Sequence, residues 1–155
     1  MKNKLQSSNI LNYQDDIVLI TGAGGTIGSE LALKLKAKTI IALDISEYAI
    51  YKLQRQITDQ PIHCVVGDAG DNKLLDLLFA KYNIRYIFNC AAYKHVDTLE
   101  DDNNIYSVVK NNVLSTVNLC RRLDSVDGLL HISSDKAVNP SCYMGHTKLW
   151  CERIV

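Results

Sequence analysis

The feature that most constrains this chain is an alternation: short runs rich in Val and Ile, each followed by a segment with helical spacing. The apolar runs are Ile17 to Thr21, Thr39 to Asp44, His63 to Gly67, Arg85 to Cys90 and Gly128 to Ser133. Each predicts a strand buried on both faces. Between them, the spacing of Ile27, Leu31 and Leu35, of Ala49, Leu53 and Ile57, and of Leu74, Leu75 and Leu78 predicts helices. A longer helix is predicted from about Leu99 to Leu123, with Ile105, Val109, Val113 and Val117 on one face, and a last one over Tyr143 to Val155. Such alternation gives right-handed βαβ units, hence an α/β fold: a Rossmann-like, doubly wound parallel sheet with helices on both faces. Ligands in this architecture sit outside the carboxyl ends of the strands, so function is sought directly after each strand.

A chain of 155 residues with only two prolines, Pro61 and Pro140, and no repeat or low-complexity linker reads as one domain. Its 17 Lys and Arg balance 17 Asp and Glu, so there is no long-range field to gather nucleic acid or an anionic membrane. Residues 1–16 form a polar lead without the apolar run of a signal peptide or anchor. The five cysteines (Cys64, Cys90, Cys120, Cys142, Cys151) include no Cys-x-x-Cys pair and no metal-ligand spacing with the four histidines. Free thiols in a reducing cytoplasm, and no metal site, are the expectation.

The strongest local signal is Thr21-Gly22-Ala23-Gly24-Gly25-Thr26-Ile27-Gly28, directly after the first strand and opening a helix. Glycines let the chain turn tightly and bring backbone amides to a diphosphate, and the helix mouth adds unpaired N–H groups and a partial positive charge. Gly22, Gly25, Thr26, Ile27 and Gly28 are therefore candidate cofactor contacts. The second strand ends in Asp44, about 20 positions beyond Gly22, where a carboxylate accepts hydrogen bonds from a ribose. It would repel a 2′-phosphate, so NAD is favoured over NADP. Ile45 and Ser46 follow it, with Ser46 also a helix N-cap. Asp68 and Ala69 after the third strand, and Ala91 and Ala92 after the fourth, complete the predicted cofactor wall, with Asp68 at the adenine edge. Residues 17–155 thus read as an NAD(P)-binding domain.

The stretch Thr21 to Leu31 resembles the opening of the extended short-chain dehydrogenase/reductases. Ala91-Ala92-Tyr93-Lys94-His95-Val96, Ile132-Ser133-Ser134-Asp135-Lys136-Ala137-Val138-Asn139-Pro140 and Met144-Gly145-His146-Thr147-Lys148 are similar to the polysaccharide-biosynthesis, CapD-like branch that contains UDP-N-acetylglucosamine 4,6-dehydratases. Leu43 to Tyr48 and Lys110 to Leu114 fit the same branch. The resemblance runs from Ile17 to the end, but family members continue well beyond this length into a region that binds the nucleotide-sugar. It therefore implies a fold truncated relative to the family, and weak or no dehydratase activity for the chain alone.

The chemistry implied is oxidation at the sugar's fourth carbon, loss of water across the fifth and sixth, and return of the hydride. By resemblance Asp135 is the acid, Lys136 the base, Ser134 a hydrogen-bond partner of the sugar hydroxyl, and Lys148 the holder of the nicotinamide ribose. Lys94 is a candidate substrate contact for a UDP-linked amino sugar, and a homo-oligomer is a further implied possibility. One departure stands out: the family usually has Tyr four residues before this lysine, and here that residue is Met144, whose thioether cannot take a proton. Tyr143 lies one position away, turned by about 100° on a helix. His63, Cys64 and Cys90 read as core, His131 as a satisfied structural histidine, and Asn112 as a backbone partner near the site. Two other readings compete: a nucleotide-sugar 4-epimerase fragment, which would not need Asp135 and Lys136, and a non-catalytic dinucleotide-binding module.

Overall fold

The computed structural model describes residues 12–155. Five strands, β1 (Asn12–Thr21), β2 (Lys36–Asp44), β3 (Ile62–Val66), β4 (Ile84–Asn89) and β5 (Gly128–His131), form one sheet in the order β3-β2-β1-β4-β5. Every pairing is parallel, as alternation with helices requires. The chain leaves β1 toward β2 on one side and later returns to place β4 on the other. The gap between β1 and β4 is therefore the switch point where this architecture opens a crevice.

Helices α1 (Thr26–Lys34), α2 (Glu47–Gln54) and α3 (Asn72–Lys81) connect the first four strands. Ser46 caps α2 by accepting from the Ala49 amide at 3.2 Å, and Asp71 caps α3 by accepting from Lys73 and Leu74. Side chains alternate along each strand, so the sheet builds two cores. Val18, Ile20, Ile40, Ala42 and Phe88 pack with Ala32, Leu35 and Leu53 on one face. Leu19, Ile41, Leu43, Ile84 and Ile87 pack with Leu75, Leu78 and Leu119 on the other. Each such fully buried Leu or Ile contributes roughly 2 kcal/mol by leaving water.

Three sequence expectations are corrected. First, β1 starts at Asn12, inside the polar lead: Asn12 and Tyr13 pair with Lys36 and Ala37, and the register slips between Tyr13 and Ile17. Backbone pairing needs no apolar side chain, so exposed Gln14 and Asp15 carry no strand signal. Residues 1–11 of that lead lie outside the described residues. Second, β3 and β5 are edge strands rather than strands buried on both faces, which leaves Val66 and Leu130 about half exposed. His63 accordingly lies at the surface, tilted against the Tyr82 ring at 5.7 Å, and not in the core.

Third, the long helix over Leu99 to Leu123 is broken. It consists of α4 (Val96–Leu99), a 3₁₀ turn (Asp102–Asn104), α5 (Ile105–Val108), a π-helical segment (Val109–Leu114), α6 (Ser115–Cys120) and a second 3₁₀ turn (Leu123–Ser125). The hydroxyls of Ser115 and Thr116 bond the carbonyls of Asn111 and Asn112, in competition with the helical ladder. The final helix α7 (Tyr143–Ile154) then packs across this segment.

Candidate functional site

A cleft of about 410 Å³ opens at the carboxyl ends of the strands, across the β1/β4 switch point. Its floor is the loop after β1. Gly22 has φ of +64°, and a Cβ there would lie 2.7 Å from the backbone of Ala91. A Cβ on Gly28 would come 2.1 Å from the Gly22 carbonyl oxygen. Only glycine lets the helix start this close to the turn, so the first turn of α1 presents its unpaired amides to the cleft. Gly25, Thr26 and Ile27, also lining it, are exposed.

Asp44 ties this loop to the second strand. Its Oδ2 accepts from the Gly24 amide at 2.9 Å and its Oδ1 from the Ser46 amide at 2.9 Å. A carboxylate has about four acceptor positions, so two remain for a ligand hydroxyl. Gly24 is the partner that sequence reasoning missed; a Cβ there would meet Ala49 Cβ at 2.4 Å, which signals close packing of loop on helix. Ile45 lines the cleft, whereas Ser46 is engaged in capping α2 and stands outside it. Asp68, Ala69, Ala91 and Ala92 line the walls as predicted, joined by Gly67 and Cys90. Cys90 thus borders both core and cleft, and burial pushes its thiol up to about 11.

At the other end stand Lys94, Ser134, Lys136, Met144 and Lys148, together with Asn111, Ile132 and Ser133, which the motifs contained but did not single out. Lys148 is buried and donates from Nζ to the Ile132 carbonyl at 2.7 Å. Burial lowers its pKa, against smaller raising effects from Cys151, Cys90 and Glu152. Met144 is 3% exposed, and the Tyr143 hydroxyl donates to Asp102 Oδ1 at 3.0 Å, outside the cleft lining. Neither Met144 nor Tyr143 therefore puts a phenol in the usual place beside Lys148.

Asp135 departs from expectation. It is exposed and absent from the cleft lining, while its neighbours Ser134 and Lys136 belong to it. The Ser134 hydroxyl, the Lys136 charge and the Lys136 amide hold its carboxyl below the usual carboxylate range. A general acid needs the opposite shift.

Asn112 behaves as predicted, bonding backbone instead of facing the cleft. Its Oδ1 accepts from the Tyr93 amide at 2.7 Å, and its Nδ2 donates to the Tyr93 carbonyl at 3.2 Å and Thr147 Oγ1 at 3.0 Å. His131 is satisfied on one side only. Asn89 Nδ2 donates to its Nδ1 at 3.0 Å, which makes Nε2 the protonated nitrogen, and Nε2 is buried with no partner among the described residues. Those residues include no group of three metal-ligating side chains and no helix long and apolar enough to cross a membrane.

A family model described as "Polysaccharide biosynthesis protein" matches residues 18–155. The chain belongs to this family. It corresponds to an N-terminal portion of the extended short-chain dehydrogenase/reductase family, dehydratase and epimerase group, with the Rossmann-like fold of that group. A Methanocaldococcus jannaschii protein described as "Uncharacterized membrane protein MJ1061" is 39% identical over 147 residues, covering 92% of this chain and 43% of the relative. The probable polysaccharide biosynthesis protein EpsC of Bacillus subtilis is 35% identical over 162 residues, covering 97% of this chain and 27% of its own length. The chain spans less than half the length of these curated relatives. Among solved structures, Pen from Bacillus thuringiensis superposes with a TM-score of 0.81 at 32% identity, over 92% of this chain and 44% of that one. The UDP-glucose 4-epimerase of Bifidobacterium longum, solved with NAD+ and UDP, gives 0.76 at 25% identity, over 89% and 47%.

Proposed function

We propose that this family member is the NAD(P)-binding portion of a nucleotide-sugar 4,6-dehydratase, with NAD favoured, acting on a UDP-linked sugar of the UDP-N-acetylglucosamine type in surface polysaccharide synthesis. The observation that carries the reading is the Gly22–Gly28 turn, held against β2 by the Gly24 to Asp44 hydrogen bond at the switch point of the sheet. These residues fit a dinucleotide. A Cβ would fill the cradle, the amides of α1 face a diphosphate, and Asp44 keeps acceptor positions for ribose hydroxyls. A nicotinamide coenzyme bound there supplies reversible hydride removal.

The chain's own residues do the rest. Lys148, its ammonium pinned on the Ile132 carbonyl, holds the ribose at the nicotinamide end. Lys136, once its ammonium has passed a proton to the Asp135 carboxylate, takes the proton beside the new ketone, and Ser134 orients the sugar hydroxyl. Asp135 takes up that proton once substrate displaces the Ser134 and Lys136 amide contacts that keep it ionised, and gives it to the leaving hydroxyl. Lys94, at the cleft mouth, meets the nucleotide-sugar. A second reading, 4-epimerisation, is favoured by the surface position of Asp135, since an epimerase has no need of it. Met144 in place of tyrosine speaks against it, because a thioether four residues before Lys148 cannot exchange a proton at the sugar oxygen.

Incubation with NAD+ and UDP-N-acetylglucosamine, with products followed by mass spectrometry and chromatography, tests the chemistry. Slow water loss that vanishes in Lys136→Ala is the expected result. Formation of the 4-epimer would establish the second reading instead. Bound coenzyme with no sugar chemistry would leave a dinucleotide-binding module as the function.

A further inference from the structure

We propose that Asn118 is a positioning residue for the cofactor cleft, acting from behind its Asp68–Ala69 wall through the carbonyl of Gly70. This rests on the dinucleotide reading above and assigns which part of the coenzyme the residue serves. Asn118 lies on α6, is 8% exposed and does not line the cleft. Its Nδ2 donates to the Gly70 carbonyl at 2.8 Å. Gly70 in turn donates its amide to Asp68 Oδ1 at 2.7 Å, so the single residue Gly70 stands between Asn118 and the Asp68 carboxylate, bonded to both.

The side-chain amide cannot turn over. Its Oδ1 accepts from Asn72 Nδ2 at 3.1 Å and from an Arg121 guanidinium nitrogen at 3.3 Å, which leaves only the NH₂ end for Gly70. Arg122, its side chain 11% exposed, donates to the Asn72 and Asn118 carbonyls, to Asn72 Oδ1 and to Asp76 Oδ1. α6 is thereby clamped onto the start of α3 by a part-buried network in which several bonds hold each amide. The free oxygen of Asp68 is presented at a fixed angle to the adenine end of the cleft. Among the described residues, the side-chain hydrogen bonds of Asn118 run to Gly70, Asn72 and Arg121, and none reaches Lys148 at the other end.

Asn118→Asp is nearly isosteric and separates positioning from packing. One carboxylate oxygen still accepts from Asn72 and Arg121, beside Arg122, while the other faces the Gly70 carbonyl with no proton to give. Affinities for NAD+, ADP-ribose and nicotinamide mononucleotide are measured by calorimetry, with the thermal midpoint alongside. The expected result is an approximately tenfold weaker Kd for NAD+ and ADP-ribose, about 1.4 kcal/mol, with nicotinamide mononucleotide unchanged. Asn118→Ala gives the same split at lower stability. Wild-type affinity for NAD+ and ADP-ribose in either variant, even with a lowered midpoint, would reduce Asn118 to a structural bond and overturn the proposal. So would equal weakening of all three ligands. Failure of the wild-type protein to bind NAD+ is a different result, seen before any substitution, and it removes the dinucleotide reading itself.

Discussion

At the scale of single residues, the site depends on atoms that are missing. Gly28→Ala places a methyl 2.1 Å from the Gly22 carbonyl oxygen, so the loop must move away from the mouth of α1. The expected outcome is a loss of about 2 kcal/mol or more in denaturant unfolding, with NAD+ binding by the folded fraction weakened beyond detection in the same titration. The glycine pattern was legible in the sequence because spacing alone expresses it. The bond from Gly24 to Asp44 was not, since it joins two loops that only the sheet brings together. His131 gives a prediction in pH. Burial first, then the Lys148 charge, lowers its pKa from 6.5 to about 4, with Glu152 opposing. The unfolded chain takes up a proton below pH 6.5 while the fold refuses it until about 4, so the associated stability is full above 6.5 and is lost as pH falls through that window. Urea unfolding of the wild type and His131→Gln should show a gap that closes on acidification from 6.5 to 4; a gap independent of pH would contradict it.

At the scale of elements, periodicity read the three short helices and failed on the long one. The apolar face of Ile105, Val109, Val113 and Val117 is compatible with a straight helix, and nothing in its spacing announces π-helical turns at Val109–Leu114. The buried Asn112 is the visible trace of the break. Its amide satisfies both backbone groups of Tyr93 and the Thr147 hydroxyl, joining the post-β4 segment, the π-helical segment and α7. Asn112→Ala strands those partners and should cost about 2 to 4 kcal/mol in chemical denaturation, an effect that Asn112→Asp recovers only in part because it lacks the NH₂ donor. A loss below about 0.5 kcal/mol would mean that the three elements are held together by packing alone. The edge strands were misread for a related reason: a run of Val and Ile carries no information about strand order, and only the order β3-β2-β1-β4-β5 shows which faces stay open.

At the scale of the whole molecule, the alternation of strands and helices predicted the parallel sheet with helices on both faces, and pointed to the carboxyl ends of its strands, where the cleft lies. The predicted cofactor residues other than Ser46 converge on one cleft because they follow β1, β2, β3 and β4 directly, or, for Lys148, face it from α7. The predicted catalytic set converges less completely. Ser134, Lys136 and Lys148 line the cleft and Asp135 stands beside it, a difference decided by the direction of one side chain in a 3₁₀ turn, which no motif encodes. The chain spans less than half of its curated relatives, and most of the predicted residues that line the cleft belong to the cofactor set. The most direct test is therefore on the cofactor: calorimetric titration of the folded chain with NAD+ and with NADP+. Saturable binding of one NAD+ per chain, tighter than NADP+ and lost in Gly28→Ala, is the result expected from the proposed reading of this cleft. A folded protein that gives no heat with either coenzyme, or that binds NAD+ equally well with alanine at position 28, would contradict it.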